Sequence, residues 1–340
     1  MRVSLMVDPE GGVRYGTLAA MARYAEELGF AGLYLSDHYD AVFGWHGPGA
    51  PETWALLAGL MRETERIALG TLVTPVTLRR FATLVKLVAT VGLLADDRDE
   101  TGPSRVHLGL GAGWLESEHD RFGVPFPHPT TRFDMLEEHL RAIHAVWKHP
   151  GVPVTFAGAH VRLADAQFSP LPKRPRIVLG GKGRVRMPRL AARFADELNV
   201  PFVSLSELTM LRQLLHDACR EIDREPDSIV FSAKRGILVG STRSELEDRA
   251  TTMQALAGDD RSTPDYLDWL RTRWIVGVPD EAAAQVAELR RAGVEHLILQ
   301  HLLPHDLDML STVRDEVLPA ADSILSGGAA DRLAGRKMWR

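Results

Sequence analysis

Read for apolar and polar positions, the chain alternates between short apolar runs and longer amphipathic stretches. Arg2 to Val7 is the first run of strand length. Tyr15 to Leu28 follows with Leu18, Ala22, Ala25 and Leu28 on one face, the three- and four-residue spacing of a helix. Gly29 ends it, as a residue free to take a left-handed conformation after a last turn. Ala31 to Leu35 is then continuously apolar, which suits a parallel strand covered on both faces.

The same order recurs along the chain. Ile67 to Val73 precedes a helical stretch from Leu78 to Leu94, and Val106 to Leu110 precedes Phe133 to Trp147. Arg176 to Leu179 precedes Val185 to Ala195, and Glu197 to Val200 precedes Leu208 to Ile222. Ser228 to Leu238 precedes Glu245 to Ala257, and Glu281 to Arg291 leads into Glu295 to Leu299 and then His305 to Leu318. About eight strand–helix steps predict an α/β fold, the (β/α)8 barrel. Val152 to Ser169 reads as a hairpin turning at Ala157 to His160, and Asp259 to Arg273 as a loop with a short helix. Neither is long enough for a core of its own, so residues 1–322 read as one barrel domain and 323–340 as a frayed tail.

Composition changes the picture little. A formal charge of −5 argues against nucleic acid as the main partner, because phosphate binding favours a basic surface. No charge-free run is long enough to cross a membrane, and the opening residues reach Asp8 and Glu10 too soon for a secretory signal. The one cysteine, Cys219, can form no internal disulfide, which suits a reducing cytoplasm. The expectation is a cytoplasmic enzyme of small molecules.

In such barrels the reacting groups stand on the loops after the strands. Asp37-His38 follows the second strand, and an imidazole there can move a proton near neutral pH; a structural histidine is an equal reading. Gly180-Gly181-Lys182-Gly183 follows the fifth strand and opens a helix, where backbone N–H groups and Lys182 could hold a phosphate; a tight turn is an equal reading. Gly111-Ala112-Gly113 fails the dinucleotide spacing and suits either close approach of a flat ring or plain turns. His301 and His305 bracket Pro304, which spoils the helical spacing of a metal pair. Glu116, Glu118 and His119 read as an exposed, charged helix start, so no metal site is expected. Phe43, Trp45, Trp114 and Phe126 suggest an apolar or aromatic substrate pocket, although loop aromatics as often pack.

Ordered motifs spread over nearly the whole chain carry a resemblance. Glu27-Leu28-Gly29-Phe30 with Leu33 to His38 is one, and Ala68 to Pro75 another. Val106 to Trp114 with Glu116, His119, Phe122-Gly123 and Pro125 is a third. Leu179 to Gly183 with Arg193 to Asp196 and Asn199, and Val276 to Glu281, complete the set. Together they resemble the luciferase-like monooxygenase superfamily, most closely the branch that uses the 8-hydroxy-5-deazaflavin coenzyme F420. The resemblance implies the barrel fold, His38 as the acid/base and Asp37 beside the cofactor ring. It implies a non-prolyl cis peptide at Leu72-Val73, with Leu72, Val73 and Thr74 behind the ring, and the cofactor phosphate on Gly180 to Gly183.

Two departures bear on function. Sugar-phosphate dehydrogenases of that branch carry Glu where this chain has Trp114, and many relatives follow the tryptophan with Asn where this chain has Leu115. The function implied is hydride transfer between coenzyme F420 and a small organic substrate, in an assembly that could be a homodimer. The alternatives are an FMN-dependent monooxygenase of the same family, a metal-dependent barrel hydrolase, and a barrel that binds a flavin without catalysis.

Overall fold

The computed structural model describes residues 1–42, 49–96 and 102–326. Its first half runs β1 (Arg2–Val7), α1 (Tyr15–Glu27), β2 (Gly32–Leu35), α2 (Thr53–Glu63), β3 (Ala68–Thr71), β4 (Thr74–Pro75), α3 (Phe81–Asp96), β5 (Val106–Gly111), α4 (Glu116–Phe122) and α5 (Pro129–Lys148). An antiparallel hairpin, β6 (Val154–Ala157) and β7 (Arg162–Ala166), separates this half from β8 (Arg176–Gly180). Next come α6 (Arg186–Phe194), β9 (Glu197–Pro201), α7 (Leu205–Arg220), β10 (Val230–Val239), α8 (Arg243–Ala257) and α9 (Thr263–Arg271). The chain finishes with β11 (Trp274–Gly277), α10 (Pro279–Arg291), β12 (His296–Gln300) and α11 (Asp308–Thr312). Beyond α11 helical geometry continues to residue 326.

Parallel pairing runs β1–β2–β3–β5–β8–β9–β10–β12, and β12 pairs back onto β1, closing a barrel. β4 resumes the β3 edge after a break at residues 72–73 and pairs with β5. The eight strands read from the sequence are the eight of the barrel, and the hairpin and α9 stand where expected. Two elements lie outside the predicted alternation. α2 buries Trp54, Leu57, Leu60 and Met61 on one face. β11 pairs with the last four residues of β10, beyond the ring.

Burial on both faces explains the unbroken apolar runs. In β1, Val3, Leu5 and Val7 pack in the layer under the helices. Met6 instead points inward, to a small cluster with Tyr34, Leu72, Val178 and Ile298. Nearer the strand starts the interior is polar but paired. His296 bonds Glu197 Oε1 and Ser4 Oγ, both at 2.8 Å, and Tyr34 Oη lies 2.6 Å from His107 Nδ1. Burial drives the His107 pKa down to about 3, so its ring is neutral. The barrel is therefore plugged from below and open at the strands' C-terminal ends. Among the described residues no helix is long and apolar enough to cross a membrane.

Candidate active site

His38 stands three residues beyond the end of β2, with its side chain 14% exposed. Its Nδ1 lies 3.1 Å from Glu118 Oε2, and the Tyr39 backbone N–H donates to the other oxygen of the same carboxylate. A carboxylate only accepts, so Nδ1 carries the hydrogen and Nε2 is left for a reactant. Burial opposes charge on the ring, but the Glu118 bond and the fields of Glu10, Glu118 and Asp8 outweigh it, and the pKa rises above the ordinary histidine value. Trp114, 60% exposed, stands edge-on to the ring at 5.8 Å.

The carboxylate that holds His38 is not its sequence neighbour. Asp37 is 1% exposed and turned the other way, taking two bonds from Arg79 at 2.6 and 3.0 Å and one from Thr74 Oγ1 at 2.6 Å. Thr74, expected against the cofactor, has a fully buried side chain whose hydroxyl also accepts from Trp54 Nε1. Asp37 and Thr74 thus brace the wall behind His38 rather than offering free polar atoms. Glu118 and His119, expected on an exposed helix start, are each 1% exposed. His119 is locked between Leu115 O and Thr77 Oγ1, both at 2.8 Å. The short α4 is solvated at Glu116, Ser117 and Asp120 and buried at Glu118 and His119.

The Leu72–Val73 peptide is cis. Leu72 joins the apolar cluster inside the barrel, and Val73 packs against it half-buried. A Cβ on Gly111 would come within 2.7 Å of Val73 Cγ2, and one on Gly180 within 2.7 Å of Val73 Cγ1. Gly109 would meet Thr71 O at 1.9 Å. These glycines therefore make room first for the Val73 bulge.

In the β8–α6 loop, Gly181 has φ +157° and a Cβ there would press on Met187 Cε at 2.8 Å. Gly183 would meet only ordinary contacts, so nothing in its packing calls for glycine. Lys182 is exposed. Arg184 lies 3.7 Å from Glu207. Gly113, at φ +81°, brings the chain past Thr77, and Ala112 beside it is half-buried. Phe126 is held between the His119 ring, at 4.7 Å, and the Arg132 guanidinium, at 3.8 Å, which accounts for it as packing. Phe43 and Trp45 lie outside the described residues.

Four groups at the barrel mouth were missed in the sequence. Asp8 follows β1 directly and accepts from Gln300 Nε2 at the end of β12. Glu10, 3% exposed, accepts from Ser36 Oγ at 2.5 Å. Burial, with Asp8 nearby, pushes its pKa up to about 8, and the field of His38 works against that rise. Lys234, on β10, has its ammonium 4.9 Å from the Phe202 ring centre; burial lowers its pKa, opposed by Asp8 and Glu10. The signal was present: Asp8 ends a strand, and Lys234 and Gln300 are polar positions in otherwise apolar strands. Among the described residues no group of three or more His, Cys, Asp or Glu is arranged to hold a metal.

An apolar floor of Leu72 and Val73 beneath a rim of His38, Glu10, Asp8 and Lys234 is what a flat heteroaromatic cofactor with polar edges requires. The family profile described as luciferase-like monooxygenase matches residues 2–296. The chain belongs to the luciferase-like monooxygenase family. It is 30% identical over 303 residues to an F420-dependent glucose-6-phosphate dehydrogenase of Kineococcus radiotolerans, covering 83% of this chain and 86% of that one. With the enzyme of the same description from Nakamurella multipartita it shares 28% over 337 residues, covering 92% and 94%. Among solved structures, an F420-dependent secondary alcohol dehydrogenase in complex with an F420–acetone adduct superposes with TM-score 0.77 at 18% identity, covering 94% of this chain and 98% of that one. A monooxygenase from Streptomyces bottropensis does so with TM-score 0.77 at 20% identity, covering 94% and 99%. The luciferase-like resemblance, its deazaflavin branch and the barrel are borne out.

Proposed function

We propose that this member of the family is an oxidoreductase of coenzyme F420, moving a hydride between that coenzyme and a small organic alcohol or carbonyl compound. The observation that carries the reading is His38, clamped through Nδ1 by Glu118, with Nε2 left for a reactant and the buried Glu10 acting on its charge. When bound, the deazaflavin supplies a hydride-exchanging carbon and reacts poorly with oxygen.

The chain's own residues do the rest. Leu72 and Val73 support one face of the ring, and Gly180, Gly181 and Lys182 offer amides and a cation to the phosphate. His38 gives a proton to a carbonyl oxygen, or takes one from an alcohol, through Nε2. Glu118 fixes the tautomer and stabilises the charged ring. Glu10 adds a second titratable group nearby, which Trp114 cannot. The F420-dependent dehydrogenases among the relatives support deazaflavin over FMN.

Titration of the protein with coenzyme F420 and with FMN, followed by tryptophan fluorescence, tests the reading. Tighter binding of F420 is expected. Equal or tighter binding of FMN overturns the cofactor assignment and leaves the flavin monooxygenase reading.

A further inference from the structure

β10 sends a charged side chain into the barrel. Phe231 and Ala233 belong to the layer under the helices, so Ser232 and Lys234 face the interior, where Asn199 Nδ2 donates to Ser232 Oγ at 3.0 Å. Lys234 pairs in register with Ile298 of β12, which packs in the inner cluster with Leu72. Residues paired on adjacent strands lie about 4.8 Å apart and share a face, so Lys234 starts one strand away from a side chain that touches the apolar floor of the site. In the ring of eight strands β10 stands four places from β3 in either direction. The Leu72–Val73 bulge follows β3 directly, so Lys234 faces it across the barrel.

Among the described residues no acceptor hydrogen-bonds or ion-pairs with the Lys234 ammonium. It lies 4.9 Å from the centre of the Phe202 ring, and Phe202 is held at φ +50°, where bulky residues are rare. Burial works against the charge of Lys234; the fields of Asp8 and Glu10 work for it, though neither carboxylate touches it. Unlike Asp8 Oδ1, the ammonium is not sealed from solvent. A half-buried ammonium without an acceptor carries a desolvation cost, and an anionic oxygen arriving through the mouth removes it.

We propose that Lys234 is the specificity-determining residue of the barrel, holding one carboxylate of the substrate on the side of the site away from the Leu72–Val73 floor. The proposal rests on the oxidoreductase reading and names the substrate class within it: a hydroxy acid, or the matching keto acid. A single ammonium offsets one negative charge. With the fields of Asp8 and Glu10 acting at the same point, a doubly charged phosphate would be left partly uncompensated.

Two matched pairs of probes test this: lactate against propylene glycol, and 3-hydroxybutyrate against 1,3-butanediol. Within each pair a carboxylate replaces a hydroxymethyl group and the methyl carbinol is kept. Ligand-observed NMR titration of the unmodified protein needs neither turnover nor coenzyme. At least one hydroxy acid should bind about tenfold or more tightly than its diol, the scale of a hydrogen bond to a charged group. Lys234→Met keeps the length of the side chain and removes its charge, so the acid should fall to the affinity of the diol while the diol is unmoved. Lys234→Arg should retain part of the preference. Because the ammonium has no partner in the protein, Lys234→Met should not lower the denaturant midpoint, which a purely structural lysine would do. Equal binding of acids and diols, an acid preference that survives Lys234→Met, or loss of folding in both variants overturns the proposal. Failure here with F420 binding intact removes the carboxylate subsite alone; the reverse removes the cofactor reading alone.

Discussion

Glu118 reaches back from α4 to hold His38, so the ring's partner comes from a helix 80 positions away rather than from the adjoining Asp37. A charge-assisted bond at 3.1 Å is what outweighs burial and raises the ring's pKa. Glu118→Gln keeps the shape and removes the charge. His38 should then titrate at lower pH, followed by the ring's NMR shifts, because the carboxylate that favours its charged form is gone. Reduction of a carbonyl needs the protonated ring, so its alkaline limb should move down by the same amount. An unmoved titration would mean that Glu10 and Asp8 suffice.

His38→Ala should slow the chemical step by about 10²–10⁴-fold, the usual contribution of a general acid or base. Coenzyme affinity should change much less, because the ring floor and the phosphate loop are untouched. His38→Asn keeps a polar group that cannot titrate near neutral pH. Full single-turnover activity in that variant would reduce His38 to a positioning residue.

Lys182→Ala should weaken coenzyme binding by about 1.5–3 kcal/mol, the range for a hydrogen bond to a charged group. An unchanged dissociation constant would leave the phosphate to the backbone amides.

The order of strands was legible because parallel strands covered on both faces must be continuously apolar, and each is followed by a helix-period stretch. The site was only half legible. Asp37-His38 is adjacent in sequence yet divergent in space, since neighbours on an extended segment point to opposite sides. Glu118 hid within Glu116-Ser117-Glu118-His119-Asp120-Arg121, a run that reads as solvated until the packing of one short turn is known. Asp8, Glu10 and Lys234 become meaningful once barrel closure brings β1, β2 and β10 to a common mouth. The glycines were found for an incomplete reason, because a neighbouring side chain cannot be seen in a linear motif.

That reason gives a direct test. Gly180→Ala sets a methyl against Val73 and should cost about 1–3 kcal/mol, as overpacking does. Adding Val73→Ala should recover much of the loss, measured as a coupling energy in denaturant unfolding. Additive effects would show that Val73 does not set the space at Gly180.

Acid should destabilise the fold before its carboxylates titrate. His107 and His301 have folded pKa values of about 3 and about 4, below the ordinary value near 6.5. Between those limits the unfolded chain takes protons that the folded chain refuses, so stability falls as pH drops from about 6.5. Each contributes on the order of 3 kcal/mol of loss by about pH 4. Glu10 and His38, both raised, act with the opposite sign: Glu10 withdraws stability as pH climbs from its ordinary 4.5 to about 8, and His38 as pH climbs above its ordinary 6.5. Denaturant midpoints across this range should form a dome; a flat profile on the acid side would mean that the two histidines are not held neutral.

β12 hydrogen-bonds both β1 and β10, so until residues 296–300 have left the ribosome those two strands remain open edges. Asp8 meets its partner Gln300 only once β12 is in place. The mouth of the barrel is thus finished only when β12 seats between β1 and β10 and brings Gln300 to Asp8.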